Sequence, residues 1–255
     1  MAGGDGRTVT GRALAMLAAF TPDAPELTLS ELARRAGVSL PTAHRRAAEL
    51  LAWGALERTV DGRYHIGLRL WEVASLAPRG LGLREASMPF LEDLYEITRE
   101  NVQLAVREGA EVVFVERIAG RDAVAVLTRV GGRFALHATG VGLVLLAHAP
   151  VEVQERVLGS RLDRYTDKTI TDPVAIRTVL ANVRSRGYAV SDGQVTLDAL
   201  SVAAPIVHRT GEVVAAVSLV VHADRADPAA LAPVVRAAAR GISRELGGHP
   251  VRGGR

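Results

Sequence analysis

The chain has 255 residues, 48% of them hydrophobic, with a formal net charge of +3 and no cysteine. That length and apolar content suffice for one substantial core and one small one, so two domains are expected. The absence of cysteine excludes disulfides, thiolate metal ligands and a cysteine nucleophile, and fits a reducing cytoplasm.

Ala13 to Phe20, ALAMLAAF, imitates the apolar centre of a secretory signal. It is short, lacks a small-x-small cleavage site and leads into an amphipathic stretch, so it reads as a first helix. Leu29 to Gly67 is more informative. Leu29, Leu32, Ala33 and Ala36 recur at helical spacing, with Thr28 or Ser30 placed to cap the first turn. Gly37 supplies the positive φ that ends this helix and Val38 plugs the turn. Ser39 is placed to cap a further helix, whose Pro41 sits where amides lack partners anyway. Ala43, Ala47, Leu50 and Leu51 form its apolar stripe, which leaves Pro41, Thr42, Arg45, Arg46 and Glu49 facing outward as a reading face. Gly54 closes it, and ALERT, VDG and RYHIG read as strand, Asp-Gly turn, strand. Two helices around a tight turn, then a two-stranded wing, outline a winged helix-turn-helix. From Arg34 to Arg69 seven arginines face three acids, a compact basic surface of the kind phosphate neutralisation requires. Pairs of amphipathic helices also occur in proteins that never meet nucleic acid, where arginines only solvate a helix face.

Leu68 to Leu83 runs helically until Pro78 and Gly80 interrupt it, and reads as a linker helix with an apolar face of Leu68, Leu70, Trp71 and Ala74. Arg84 to Glu100 is a further helix with Ala86, Phe90, Leu91, Leu94 and Ile97 on its buried side, and Asn101 to Ile118 alternates as a hairpin turned at Gly109. Next come a strand over Ala123 to Val130, an apolar helix over Thr139 to Ala149 and an amphipathic helix over Pro173 to Arg186. Strands over Ser201 to His208 and Glu212 to His222, joined at Thr210-Gly211, precede a last helix from Pro228 to about Leu246. Helices flanking an antiparallel sheet make the second domain α+β. The longest aliphatic run, Val213 to Val221, is far too short to span a bilayer, so no membrane association is expected. The glycine-rich ends, Ala2 to Gly6 and Gly247 to Arg255, are expected to be disordered.

Catalytic and metal motifs do not emerge. His44, His65, His137, His148, His208 and His222 lack metal-ligand spacing, and GVGLVL at Gly140 is not a dinucleotide fingerprint. There is no Walker loop and no serine in a GxSxG elbow, so neither an enzyme, a metal site nor a cofactor is expected.

RALAMLAAF, LSELARRAGVSLPTAHR, DGRYHIGLRLWEVA, LHATGVGLVLLA, RGYAVSD and VAAPIVHRTGEVVAAVSL follow one another in an order and spacing that resembles IclR-type bacterial transcription regulators, over roughly residues 8 to 247. The resemblance implies a winged helix-turn-helix DNA-binding domain at 8–67, a dimerising linker helix at 68–83, and a GAF-like effector-binding domain at 84–247. It implies a homodimer, or dimer of dimers, on a palindromic operator in double-stranded DNA, controlled by a small-molecule effector such as an organic or aromatic acid. Ser39, Leu40, Pro41, Thr42, Arg45 and Arg46 are assigned to the major groove, and Arg12, Ser30, Arg58 and Arg63 to phosphate or minor-groove contacts. The family's effector cavity falls here on Val126, Gly140, Val141, Ser191, Ala199, Ser201, Ser218 and Val220. Ser191 stands where an acid is frequent, Asp198 where glycine is, Ser201 where cysteine is, and Val220 where a second serine can follow Ser218. On this reading the Ser201 and Ser218 hydroxyls approach each other on one sheet face, and the amides around Gly140 to Gly142 attract an anion. A bland alternative has both hydroxyls satisfied by strand backbone. Another has the N-terminal domain serving dimerisation or protein contact beside a small-molecule-binding module.

Overall fold

Thr8 caps the first helix, α1 (Val9–Leu17), by accepting from the Gly11 amide. The second, α2 (Leu29–Ala36), starts on a reciprocal cap: Thr28 Oγ1 accepts from the Glu31 amide at 3.3 Å, and the Glu31 carboxylate accepts from the Thr28 amide at 2.8 Å. Two otherwise orphaned donors are thereby satisfied. Hydrogen bonds from Thr28, with smaller help from Arg63 and Arg34, hold Glu31 below the usual carboxylate range. Gly37, at φ 65°, ends α2 and turns the chain into α3 (Leu40–Trp53). Met16, Leu27, Leu32, Ala33, Ala43 and Ala47 make a small core that Leu56 and Tyr64 close from the wing.

The wing pairs β1 (Leu56–Arg58) with β2 (Tyr64–Ile66), Arg58 opposite Tyr64. Tyr64 also exchanges backbone hydrogen bonds with Leu27, at 2.9 and 2.7 Å, which ties the wing to the lead-in of α2. Where β2 ends beside the end of α3, a Cβ on Gly67 would lie 2.2 Å from the Gly54 carbonyl oxygen, so the approach requires glycine. A short helix, α4 (Leu68–Ala74), follows.

The computed structural model describes residues 8–77 and 81–247. The expected break at Pro78 and Gly80, and the glycine-rich ends apart from Gly247, lie outside them. The chain divides into two compact units, residues 1–81 and 82–255.

The second unit opens with α5 (Leu81–Thr98), which starts three residues before the expected Arg84. Its buried stripe runs Leu83, Ser87, Leu91, Leu94, and the half-buried Thr98 continues it. Ile97 lies a helical step away from that line and is 73% exposed, contrary to the expectation that it is buried. Six antiparallel strands follow: β3 (Asn101–Glu108), β4 (Glu111–Ile118), β5 (Arg133–Ala135), β6 (Ala189–Asp192), β7 (Ala199–Val207) and β8 (Val213–His222), in the spatial order β5-β4-β3-β8-β7-β6. Helices α6 (Gly140–Ala147), α7 (Val151–Leu158) and α8 (Pro173–Arg186) separate β5 from β6, and α9 (Pro228–Glu245) ends the unit.

The two sheet faces are distinct. Val102, Leu104, Val202, Ile206, Val217 and Leu219 point to α5 and α9, while Ala105, Ala203, Ala216 and Phe114 point to α6, α7 and α8. Small side chains on the second face let α6 approach closely, which is why it is buried along its whole length.

The expected strand over Ala123 to Val130 is absent. Side chains of the central strand hold this irregular segment instead: Asn101 Nδ2 donates to the Val124 carbonyl at 2.8 Å and Gln103 Nε2 to Thr128 Oγ1 at 2.6 Å. Pinned over the sheet face, its backbone has no edge to join. The short strands β5 and β6 and helix α7 were not expected.

Candidate functional site

The first unit presents the N-terminal half of α3. Leu40, Pro41, His44, Arg45 and Ala48 are exposed, and positions 41, 44, 45 and 48 share one helical face. Leu40 adds an exposed methyl-bearing side chain at its tip. Thr42 is half-buried and accepts from Ser39 Oγ at 2.9 Å. Ser39 occupies the cap position with extended backbone, yet its hydroxyl makes no cap hydrogen bond, so the expected side-chain cap is not formed.

Arg46 departs from the expectation that it faces outward. It is 7% exposed and pairs with Glu49. Position 46 is three residues past Ala43 and four before Leu50, so helical geometry puts it on the buried stripe with Ala43 and Ala47.

In the wing, Arg58 stays exposed. Its Nε donates to the Gly62 carbonyl at 3.0 Å, and its guanidinium lies 5.3 Å from the Tyr64 ring centroid, so the turn presents this cation. Arg63 is differently placed: it lies 3.6 Å from both Glu31 and Asp61, and Nη1 donates to the Glu26 carbonyl at 3.4 Å. Ser30 is exposed on the first turn of α2, and Arg12 is half-buried on α1.

A second site lies in the other unit, where α6 crosses the sheet. A cleft with about 420 Å³ of open space, part of it continuous with solvent, lies between α6, the strands β3, β4, β6, β7 and β8, and the irregular segments on either side. Seven of the eight expected positions line it: Val126, Gly140, Val141, Ser191, Ala199, Ser201 and Val220. Val126 packs with Val124, Ala199 and Val220 as an apolar wall. The Ser191 hydroxyl is already committed, donating to the Ala138 carbonyl at 3.0 Å. Ser201 is half-buried opposite Ser191 and Val220. Its Oγ lies 2.6 Å from where a Cβ on Gly140 would be, so the serine abuts the first turn of α6.

Ser218 is the exception. It shares the sheet face with Ser201, as expected, but stands opposite Ala203 and Gln103, fully buried, and does not line the cleft. Its Oγ has no hydrogen-bond partner, so neither the expected meeting with Ser201 nor satisfaction by strand backbone occurs.

Electrostatics distinguish the cleft. Among the described residues no charged side chain lines it. Thr139 Oγ1 accepts from the Gly142 amide at 3.0 Å, and the Gly140 and Val141 amides, as the first in α6, have no carbonyl one turn earlier to donate to. The positive end of a buried helix therefore faces an uncharged space. Among the described residues no group of three histidine, cysteine or acidic side chains is placed to hold a metal, and no helix is long and apolar enough to cross a membrane.

Two family models match this chain: the bacterial transcriptional regulator IclR C-terminal over residues 77–244, and the IclR helix-turn-helix domain over residues 9–59. The chain belongs to the IclR family of transcription regulators. It is thus a DNA-binding regulator and not an enzyme. A crystal structure of an IclR homolog from Microbacterium hydrocarbonoxydans complexed with 4-hydroxybenzoate is 40% identical, with a TM-score of 0.90, covering 94% of this chain and 99% of that one. The Thermotoga maritima IclR structure is 28% identical, with a TM-score of 0.78, covering 93% and 98%. Among curated relatives, the HTH-type transcriptional regulator BhcR of Paracoccus denitrificans is 35% identical over 195 residues, covering 76% of this chain and 70% of its own length.

The cleft of this IclR-family regulator also contains residues that sequence reasoning missed, among them Gln103, Thr128, Thr139, Gln194 and Thr196. A signal existed for one of them, since Gln103 is a polar residue inside the apolar strand NVQLAV. Thr139, at the start of the expected apolar helix, caps α6, and the remaining three sit on irregular segments, which carry no periodicity to read.

Proposed function

We propose that the regulator binds a palindromic operator as a homodimer and changes its hold on DNA when a small monocarboxylate, of the kind that 4-hydroxybenzoate exemplifies, enters the cleft beneath α6. The observation that carries this reading is the uncharged cleft with the Ser201 hydroxyl and the first-turn amides of α6 at its wall. An aromatic or aliphatic body suits the wall of Val126, Ala199 and Val220, and one carboxylate suits a helix N-terminus, worth up to about 2 kcal/mol when partly buried. A second charge on the ligand would find no cation in the cleft and would lose its hydration uncompensated. That a related IclR homolog holds 4-hydroxybenzoate supports the same chemistry.

On this reading residues 8–67 bind DNA, 68–83 link and dimerise, and 84–247 take the effector, in the cytoplasm where the DNA lies. Leu40, Pro41, Thr42 and Arg45 enter the major groove, with the backbone of Ser39 at its edge. Arg58, Ser30 and Arg12 meet phosphate, and Arg63, already flanked by two carboxylates, contributes less. Arg46, buried and paired, leaves the reading set. Leu68, Trp71, Val73 and Leu76 are exposed apolar residues on and just after α4, and a second copy that covers them would hold two wings at fixed half-site spacing. Dimers pair again where an operator carries two palindromes.

The test is a gel shift with the DNA upstream of the chain's own gene, titrated with 4-hydroxybenzoate and with benzoate. A change in DNA affinity of about 5- to 150-fold at saturation is expected. Operator binding that no small carboxylate alters, with no heat of binding in calorimetry, would refute the effector assignment.

A further inference from the structure

On the side of the second unit away from the first-turn end of α6, another cavity opens between the last turn of α8, the β7–β8 turn and α9, with about 1030 Å³ of open space. Arg184, Arg186, Arg236 and Arg240 line it together with His148, and among the described residues no carboxylate does. We propose that this groove is a second ligand site, for a compact anion carrying two or more charges on neighbouring oxygens, as in a pyrophosphate or a polycarboxylate.

Charge placement makes the argument. Elsewhere in the same unit several cations sit beside acids, among them Arg84 with Glu116, Arg99 with Glu96, Arg133 with Glu111, Arg177 with Glu155 and Lys168 with Asp192, whereas others stand singly. In the groove, among the described residues, no arginine pairs with an acid: Arg184 donates from Nη1 to the neutral Ala147 carbonyl at 3.0 Å, and His148 Nδ1 lies 2.9 Å from the Val144 carbonyl. Arg184 and Arg186 also lie in the last turn of α8, where cations offset the helix dipole. Arg236 and Arg240 have no such role. They are like charges at i and i+4 in the middle of α9, an arrangement that weakens a helix.

Convergence is visible at Gly187, the left-handed residue that ends α8. A Cβ there would lie 3.7 Å from both Nε and Nη2 of Arg236, so the α9 guanidinium reaches across to the residue next to Arg186. Glu212, on the nearby turn, accepts from Thr210 and does not enter the groove. Several planar guanidinium forks around one cavity match bidentate contact to phosphate or carboxylate oxygens. Pro205, Val207 and Ala239 give the cavity an apolar floor for the body of an organic anion. The four arginines are exposed around this floor, and the apolar floor favours an organic small molecule over an extended polyanion. The groove shares no lining residue with the uncharged cleft, so the two sites select opposite chemistries: one charge there, several here.

The experiment uses the full chain and isothermal calorimetry in about 0.15 M salt, where weak surface attraction is largely screened. Pyrophosphate and citrate are the two probes, run with and without saturating 4-hydroxybenzoate. Binding of either probe by wild type supports the site, and the stronger probe identifies the anion class. Arg236→Gln with Arg240→Gln should weaken it by about tenfold or more. Arg107→Gln with Arg225→Gln removes the same net charge at one half-buried and one exposed residue outside the groove and should leave the affinity within about twofold. The groove variant should melt no lower than wild type, because it relieves a like-charge pair, so lost binding is not lost folding. Absence of binding by both probes, or an equal loss in the two double variants, would overturn the proposal. So would displacement of the probe by a non-operator duplex whose own binding falls in the groove variant, since the surface would then be a nucleic-acid contact.

Discussion

Two glycines in the first turn of α6 probe the cleft proposed for the effector from opposite sides. A Cβ on Gly142 would lie 2.4 Å from the Leu136 carbonyl oxygen and 2.8 Å from the Leu136 Cα, both backbone atoms with no rotamer to change. Gly142→Ala therefore forces α6 off the segment before it by about an ångström in a close-packed core. Overpacking of this kind costs about 1–3 kcal/mol, and the better helix propensity of alanine returns at most about 1 kcal/mol. With backbone on the receiving side the net is placed at about 2 kcal/mol, a fall of roughly 4–8 °C in the melting of a unit this size. On Gly140 the Cβ would meet Ser201 Oγ at 2.6 Å and Ser201 Cβ at 3.1 Å, the tip and base of a side chain that can turn away. Gly140→Ala should cost under about 1 kcal/mol but weaken 4-hydroxybenzoate binding by about tenfold or more, because methyl and hydroxyl now fill the space at the helix N-terminus. Adding Ser201→Ala should return the melting temperature without returning the affinity. Scanning calorimetry reads the transition of the second unit, and titration calorimetry reads binding. Wild-type melting in Gly142→Ala would show that α6 does not approach Leu136 as described, and wild-type affinity in Gly140→Ala would remove the cleft as the effector site.

Much of this was legible where one periodicity and one stop signal coincide. Gly37 and Gly54 end their helices in the left-handed conformation that the sequence asks of them, and Asp61-Gly62 turns the wing. The cleft was legible only through the family resemblance, because its wall combines β3, β7, β8 and α6 with segments far apart in the chain. Ala123 to Val130 alternates like a strand, yet Asn101 and Gln103 supply the hydrogen bonds that a neighbouring strand would have offered, so side-chain chemistry overrides the pattern. Ser218 shows another limit. Strand pairing puts it on the face of Ser201, but two residues further along that face means deep under α6 instead of at the cleft. At Arg46 residue type points to the surface while position points to the buried stripe, and a long aliphatic stem lets the side chain lie there with the charge at Glu49.

Arg45→Ala should lose about 1–3 kcal/mol of operator affinity and relax preference at one position per half-site, and an unchanged binding-site selection would remove Arg45 from the reading face. Trp71, 62% exposed on α4, should be covered by a second copy. Sedimentation should show at least a dimer for wild type and a weaker one for Trp71→Ala; a wild-type monomer at micromolar concentration would refute this. Burial holds the His137 imidazole below its ordinary value, against the opposing hydrogen bond at 2.9 Å with the Asp163 carbonyl. The folded state then binds the proton less readily than the unfolded chain, so stability is full above about pH 6.5 and falls as pH drops below it. His137→Gln should flatten the melting profile between about pH 7 and 5, and an identical slope would discard the assignment. Arg46 gives the last test, because its two roles predict opposite results. As a base reader it would lose operator preference with any uncharged replacement. Buried against α3's own stripe, its aliphatic stem is what matters, so Arg46→Ala should cost about 2 kcal/mol through the void it leaves. Arg46→Met keeps the stem and forfeits only an ion pair to a half-exposed Glu49, worth about 0–1 kcal/mol, while relieving a desolvated charge. Chemical denaturation should therefore place Arg46→Met within about 1 kcal/mol of wild type, and site selection should return the wild-type operator. A methionine variant that folds normally but changes preference at one base pair would put Arg46 back in the groove.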